Sequence, residues 1–135
     1  MELNRLYSIA NRENISVIDF KMKNKAIIGQ IDKRYYIGLN YSEIDNSREE
    51  KEILAEELGH YYYDAFYDIH SSISTIKQKE YRANKWKCTV LVSINDLKEA
   101  SQKGLYNLYE IAEYLDLSTE IVQFAYDYYK ENQYI

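Results

Sequence analysis

The chain has 135 residues, of which 46% are hydrophobic, and its formal net charge is −5. This length fits one domain with a single core, the apolar fraction excludes a disordered chain, and the negative charge disfavours nonspecific binding to nucleic acid. Its one cysteine, Cys88, excludes an internal disulfide. No signal peptide and no apolar run of about 20 residues is found, so we expect a cytoplasmic protein without a membrane span.

The first part of the chain predicts one helix and a small sheet. Apolar residues recur at helical spacing over residues 3–10, and this pattern ends near Asn14. Residues 15–20 lose the helical period, which favours an extended strand. Two β-branched or aromatic runs follow at 26–31 and 35–39, and the polar residues between them are typical of a hairpin. We therefore expect an antiparallel sheet of two or three strands.

The rest of the chain predicts five helices, each opened by a residue that can cap its first turn. Three positions fit a capping box, in which a Ser or Thr is followed three residues later by an acidic residue or Gln: Ser47 with Glu50, Thr75 with Gln78, and Ser93 with Asp96. Asn107 and Ser118 precede the last two helices. The expected helices cover 47–66, 75–91, a short stretch between Ser93 and Gly104, 108–115 and 119–131. The fold class is therefore α+β.

A candidate metal site lies on the first of these helices. At about 100° per residue, the buried face holds a broad apolar stripe: Ile53, Leu54, Leu58, Tyr61, Tyr62 and Ala65. Glu56 and His60, four residues apart, converge on a neighbouring face, and Glu57 lies at its border. This is the spacing of the helical zinc motif H-E-x-x-H, in which the outer residues bind the metal and the middle Glu is a base. Glu80 on the next helix is the best candidate for a third ligand.

Glu56 stands where that motif has its first His. A carboxylate oxygen binds zinc at about the same distance as an imidazole nitrogen, so the substitution is chemically possible. The short segment alone leaves a second interpretation open, namely an amphipathic helix whose solvated face carries two Glu and a half-buried His. Gly59 favours the site, because a glycine inside a helix costs about 1 kcal/mol relative to alanine and indicates a close approach or a site requirement.

Several other residues are of types that could take part in catalysis or metal binding. His70 is interpreted as a surface loop residue rather than a ligand. Asp64 either supports His60 through a hydrogen bond or is a solvated carboxylate. Cys88 is expected to be packed and unreactive, and a hydroxyl of the Tyr61-Tyr62-Tyr63 run could polarise a substrate carbonyl.

The C-terminal segment has the apolar spacing of a helix-turn-helix over residues 108–122. Its second helix, 119–131, carries Glu120, Asp127 and Glu131 against a single Lys130. Such a helix would repel phosphates rather than neutralise them. We therefore interpret the segment as packing or as a surface for a protein partner, not as a DNA reader.

Two of these segments resemble the ImmA/IrrE-type metallopeptidases of phages, mobile elements and their bacterial hosts. Residues 53–62, with the sequence ILAEELGHYY, are similar to the family's A-H-E-L-G-H-Y-Y segment. Residues 79–86, with the sequence KEYRANKW, are similar to its E-x-x-A-N-x-F/W segment. The strand at 36–40 and the opening at 6–17 also fit, so the resemblance spans nearly the whole chain in order.

The resemblance implies one zincin-like domain over residues 1–135, in which Glu56, His60 and Glu80 bind Zn²⁺ and Glu57 is the general base. Members of the family cleave a helix-turn-helix repressor encoded nearby, which implies a protein substrate and no direct contact with nucleic acid or membrane.

The Glu56 variant, which is frequent in the family, has a chemical consequence. Two carboxylates and one imidazole neutralise a divalent cation, so a bound water is acidified less and a harder metal such as Mn or Fe becomes an alternative. A non-catalytic module that grips a repressor is the alternative function. If the strand at 35–40 is a sheet edge, it can pair with the substrate backbone.

Overall fold

The structure, a computed structural model, describes residues 1–63 and 72–135. The described residues form six α-helices, three β-strands and one short 3-10 helix, Tyr41–Glu43. In chain order the elements are α1 (Leu3–Arg12), β1 (Ser16–Asp19), β2 (Ala26–Ile31), β3 (Arg34–Leu39), α2 (Ser47–Tyr62), α3 (Ile73–Leu91), α4 (Ile94–Gln102), α5 (Leu108–Leu115) and α6 (Thr119–Glu131). The α+β class with a small sheet is confirmed.

The sheet is mixed, so the expectation of an antiparallel sheet is wrong in one respect. β2 and β3 form the predicted antiparallel hairpin, and their turn residues Asp32 and Lys33 both have positive φ, at 51° and 67°. This geometry matches the twist of the flanking strands. β1, however, pairs with the far side of β3 and runs parallel to it, with Ser16 opposite Tyr36. The chain crosses from one side of β3 to the other between β1 and β2, which makes β1 and β3 point the same way.

β3 is consequently the central strand, in the order β1-β3-β2. Residues 35–40 could pair with a substrate backbone only from a sheet edge, and this condition is not met, because β3 is paired on both sides. The outer strands are β1 and β2. β2 is linked to α2, which is the motif helix because it carries Glu56, Glu57 and His60. Lys25, just before β2, donates to the Glu49 carboxylate of α2 at 2.9 Å.

One cluster of buried apolar side chains joins the sheet to the helices. β3 contributes Ile37 and Leu39, which are both fully buried. The helices contribute further side chains that are at most 1% exposed: Leu6, Leu54, Leu58, Leu91 and Val122. The stripe predicted on the motif helix therefore faces the core, as expected. Its last member, Ala65, and the predicted helix end at Phe66 lie outside the described residues.

The N-terminal caps of the helices agree with the predicted capping boxes only in part. The capping box at Ser93 is confirmed, because Ser93 Oγ accepts from the backbone N–H of Asp96 at 3.0 Å and Asp96 accepts in return at 2.9 Å. The other two boxes are wrong. α2 is capped by Asn46, one residue before Ser47, and α3 is capped by Ser72 rather than Thr75. Asn and Ser are among the best N-cap residues, so these earlier positions compete well with the predicted ones.

The C-terminal helices are packed against the first turns of α2. The Arg48 guanidinium donates to Asp116 at 2.9 Å, and the buried Lys51 ammonium donates to the Leu115 carbonyl at 3.3 Å. The Glu52 carboxylate accepts from both the backbone N–H and the hydroxyl of Ser118, at 3.0 and 2.8 Å. Packing was one of the two interpretations of this segment. None of the helices in the described part of the chain is long and apolar enough to cross a membrane.

Candidate functional site

The residues predicted for the site lie on two helices that cross. Glu56, Glu57 and His60 are on α2, and Glu80 is on α3. The His60 Nδ1 atom lies 4.0 Å from a Glu80 carboxylate oxygen. Glu56 is exposed, whereas Glu57 and His60 are half-buried. The structure therefore brings together two residues that lie on different helices, His60 and Glu80.

The helix crossing depends on Gly59. A Cβ atom placed on Gly59 would lie 2.6 Å from the Ala83 carbonyl oxygen and 3.2 Å from the Ala83 carbonyl carbon, so the two backbones are already in contact. Gly59 directly precedes His60, and Ala83 lies about one turn after Glu80. The contact between the backbones therefore sets the distance between the His60 and Glu80 side chains. The expectation that Gly59 marks a close approach is confirmed.

Glu56, His60 and Glu80 line one cavity, with a volume of about 330 Å³. Its other lining residues are Tyr81, Ala83 and Asn84. The cavity is open to solvent, because the His60 side chain is 17% exposed and that of Glu80 is 43% exposed. All three predicted metal ligands thus share one solvent-accessible cavity.

His60, Glu56 and Glu80 are chemically suitable ligands for a divalent cation, but their positions match a metal site only in part. One imidazole and two carboxylates are ligands that zinc, manganese and iron all accept. A cation bound by His60 and Glu80 at about 2 Å would draw their 4.0 Å separation in by only about half an ångström. Over residues 1–63 and 72–135, however, no group of three or more His, Cys, Asp or Glu side chains is positioned to hold a metal ion. Completing the site requires the exposed Glu56 side chain to turn towards the pair.

Glu57 follows Glu56 on α2 but is not among the residues that line this cavity, and its ionisation is strongly perturbed. Burial, together with the negative charges of Glu56 and Glu80, raises the pKa of Glu57 to about 7. A carboxyl group with a pKa near neutrality can both accept and return a proton at that pH, which is what a general base in hydrolysis must do. Perturbed carboxylates also occur in structural clusters, so the pKa supports a role without assigning one.

Glu56 also lines a second, larger cavity of about 430 Å³. This cavity lies along the first turns of α2 and is charged with both signs: Lys25, Arg48, Glu49, Glu52 and Lys87 are among its lining residues. Since Lys25 immediately precedes β2, this cavity lies between the start of β2 and α2. Glu56 connects it to the cavity of His60 and Glu80.

The tyrosines that follow the motif hold the two helices and the sheet together. The Tyr62 ring packs on Trp86 of α3 at a centroid distance of 5.0 Å, and the Tyr61 ring packs edge-on against Tyr35 of β3 at 4.9 Å. The Tyr61 hydroxyl donates to Glu13 at 3.2 Å and is therefore directed away from the cavity.

The cavity lining also contains Tyr81 and Asn84, to which the sequence patterns assigned no role. Two signals pointed to Asn84: it is the N of the E-x-x-A-N-x-F/W segment, and it lies four residues after Glu80 on the same face of α3.

The remaining candidates have separate outcomes. Cys88 is 2% exposed, and burial raises the pKa of its thiol to about 11, so the expected packed and unreactive cysteine is confirmed. Asp64 and His70 lie outside the described residues. Comparison of the chain with protein-family models, curated proteins and solved structures finds no match, so its function has to be inferred from the site itself.

Proposed function

We propose that the chain is a metal-dependent peptidase of the ImmA/IrrE type that cleaves a helix-turn-helix repressor of a phage or mobile element. The observation that carries the proposal is the approach of His60 to Glu80 at 4.0 Å across a helix crossing that only a glycine permits. Glu56 lies one helical turn before His60 and lines the same cavity. The choice of a repressor as substrate rests on the resemblance of residues 53–62 and 79–86 to that family.

In this proposal Glu56, His60 and Glu80 hold the metal, which is Zn²⁺ or, with two carboxylate ligands, Mn or Fe. The metal when bound supplies Lewis acidity to a water and to the scissile carbonyl. Glu57 accepts a proton from the attacking water at its carboxylate and returns it to the leaving amine. His60 would bind the metal through a ring nitrogen of its imidazole.

In this proposal the substrate backbone pairs with β2 rather than with β3. β2 is an outer strand, and its Ile27 and Ile31 side chains are 49% and 64% exposed. Lys25, just before this strand, and Glu56 line the same cavity, so a peptide paired with β2 would pass beside the motif helix. Backbone pairing at a sheet edge gives affinity that depends little on sequence. The side chains of the charged cavity would then select the residues next to the cleaved bond.

The decisive test replaces Glu57 by Gln and measures cleavage of helix-turn-helix proteins encoded beside the gene. Glu57→Gln should bind metal like the wild type and cleave nothing, whereas His60→Ala should lose both metal and cleavage. Glu2→Gln, an exposed change on the same chain, is the matched control and should cleave normally. Full cleavage by Glu57→Gln would refute the assigned mechanism.

A second candidate is a non-catalytic module that binds a repressor without cutting it. The observation that favours it is the exposed position of Glu56, whose side chain is not gathered with His60 and Glu80. Elemental analysis of protein purified without chelator or affinity tag separates the two functions. About one Zn, Mn or Fe atom per chain supports the peptidase, and a metal-free chain that still binds the repressor supports the module.

A further inference from the structure

The whole net charge of the protein belongs to its C-terminal helices. Residues 107–131 contain six of the 22 acidic residues and one of the 17 basic residues, so this segment carries −5 and the other residues sum to zero. Of the ion pairs among the described residues, those of Arg48 with Glu113 and Asp116 are the ones that involve this segment. Glu120, Asp127 and Glu131 are all exposed, which leaves a strongly negative surface at this end of the molecule.

The same surface contains two adjoining grooves with apolar walls. One has a volume of about 290 Å³ and lies between α4, α5 and α6, with Leu97, Ile111 and Tyr126 in its lining. The other has a volume of about 430 Å³ and runs along α6, where Phe124 is flanked by Glu120 and Asp127. Leu108 and Gln123 line both grooves. The two grooves therefore adjoin at these two residues, and the groove along α6 carries the acidic side chains.

Exposed tyrosines lie on this part of the chain, and two of them, Tyr106 and Tyr126, line the groove between α4, α5 and α6. Tyr106 is 79% exposed, Tyr109 is 75% exposed and Tyr126 is 42% exposed. Tyrosine combines a large apolar ring with a polar hydroxyl and is enriched at protein interfaces for that reason. Exposed aromatic rings beside apolar grooves mark a surface that is suited to another protein.

We propose that the face formed by α5 and α6 is a docking surface for a positively charged, amphipathic helix of another protein. The grooves take the apolar side chains of that helix, while its Lys and Arg residues meet Glu120, Asp127 and the neighbouring carboxylates. The groove along α6 spans Thr119 to Asp127, which is about 12 Å at 1.5 Å per residue. A partner helix of three or more turns covers it.

Charge selects this occupant over two others. A second copy of the chain would bring Glu120 and Asp127 of two such faces together, and like charges oppose such a contact. A nucleic acid would be repelled in the same way. A basic helix is attracted over a distance of about 10 Å at moderate salt, and its binding weakens as salt is added.

The docking surface adjoins the candidate metal cavity. Tyr81 lines that cavity, and its ring lies 5.9 Å from the ring of Phe124, which lines the groove on α6. A partner held in the groove would therefore lie beside Glu56, His60 and Glu80. This last step rests on the proposed function, whereas the docking surface itself does not.

The test uses a synthetic helical peptide of about 18 residues, with Leu at positions i, i+3, i+4 and i+7 and Lys at the solvated positions. A peptide with Glu in place of Lys and a peptide with shuffled Leu positions are the controls. Binding is measured by fluorescence anisotropy on the full chain in chelator, and the contacted residues are located by amide NMR. The basic amphipathic peptide should bind, shift amides in residues 106–131, and lose affinity as salt is raised.

Two exposed variants give the expected magnitudes. The double reversal Glu120→Lys with Asp127→Lys should weaken binding about tenfold at low salt, and Tyr106→Ser about fivefold. The matched control, Asp19→Lys with Asp45→Lys, makes the same charge change on exposed residues near the sheet and should change binding less than about twofold.

Equal binding of the acidic peptide, shifts that map outside 106–131, an equal effect of both double reversals, or self-association of the chain through this face would each overturn the proposal. Because the binding assay contains chelator and no cleavable substrate, its result is independent of whether the chain is a peptidase.

Discussion

A methyl group at residue 59 should destabilise the protein, although it would favour the helix that contains it. In Gly59→Ala the new Cβ would lie 2.6 Å from the Ala83 carbonyl oxygen, and the ordinary contact distance is more than half an ångström longer. The atom it meets is backbone, so no side chain can rotate away, and α2 and α3 must separate. Alanine contributes about 1 kcal/mol through helix propensity. Overpacking of this kind costs about 1–3 kcal/mol, so we expect a net loss of about 1 kcal/mol.

The measurement is urea unfolding of the metal-free protein, with Gly29→Ala as the matched control. Gly29 lies in β2, and a Cβ there meets no atom within 4 Å, so this variant should be as stable as the wild type or about 0.5–1 kcal/mol more stable. The same chemical change should therefore have opposite signs at the two positions. If Gly59→Ala were more stable than the wild type by its helix propensity, the backbone contact would not be a real constraint.

Three further changes test the electrostatics and the packing around α2, each by urea unfolding. The raised pKa of Glu57 means that the unfolded chain releases this proton at lower pH than the folded protein, so the stability of the metal-free protein should fall as pH rises from about 4.5 to about 7. Glu57→Gln should remove that fall and be more stable than the wild type at pH 8, by up to about 3 kcal/mol, with no gain at pH 4; parallel pH curves would contradict this. Glu52→Gln should weaken the two hydrogen bonds from Ser118 and cost about 1 kcal/mol of stability. Amide exchange in α6 should become faster, and unchanged exchange would show that Glu52 does not stabilise the start of this helix. Tyr129→Phe should cost about 1–3 kcal/mol, because the buried Tyr129 hydroxyl donates to the Val92 carbonyl at 2.6 Å; an unchanged unfolding midpoint would show that water replaces it.

The helices at the end of the chain could be predicted from local sequence almost to the residue. α5 and α6 occupy the expected ranges, 108–115 and 119–131. Asn107 caps α5 by accepting from the Glu110 N–H, whereas Ser118 occupies the N-cap position of α6 without a side-chain cap bond and donates its hydroxyl to Glu52. The starts of α2 and α3 were missed because Asn46 and Ser72 stand close to the predicted cap residues. Local patterns detect a helix reliably and choose poorly between neighbouring caps.

The order of the strands could not be predicted from local sequence. The residues of β1, β2 and β3 indicate extended structure, but nothing in them specifies which strand lies in the middle. That choice depends on the crossing between Asp19 and Ala26, which places β1 against the far side of β3. This order has a consequence for function, because the strand at 35–40 could bind a substrate only as a sheet edge and it is paired on both sides.

The meeting of His60 with Glu80 was predictable because helical spacing fixes Glu56 and His60, and the resemblance of residues 79–86 supplies Glu80. The lining by Tyr81 was not predicted, since it depends on how α3 is rotated against α2. The rotation is set by the contact of Gly59 with Ala83, a tertiary feature that the sequence marks only by an unusual glycine inside a helix.

The carboxylates of the site bear on the choice between a solvated helix face and a metal centre. Burial raises the pKa of Glu57, and the negative charges of the nearby Glu56 and Glu80 raise it further. No Lys or Arg forms an ion pair with any of the three within residues 1–63 and 72–135. A half-buried carboxylate beside two others reduces the stability of the fold at neutral pH, in a structural cluster as in a functional site. A cation held by His60 and Glu80 would offset the part of this cost that comes from like charge, so the arrangement favours the proposed metal site over a solvated helix face.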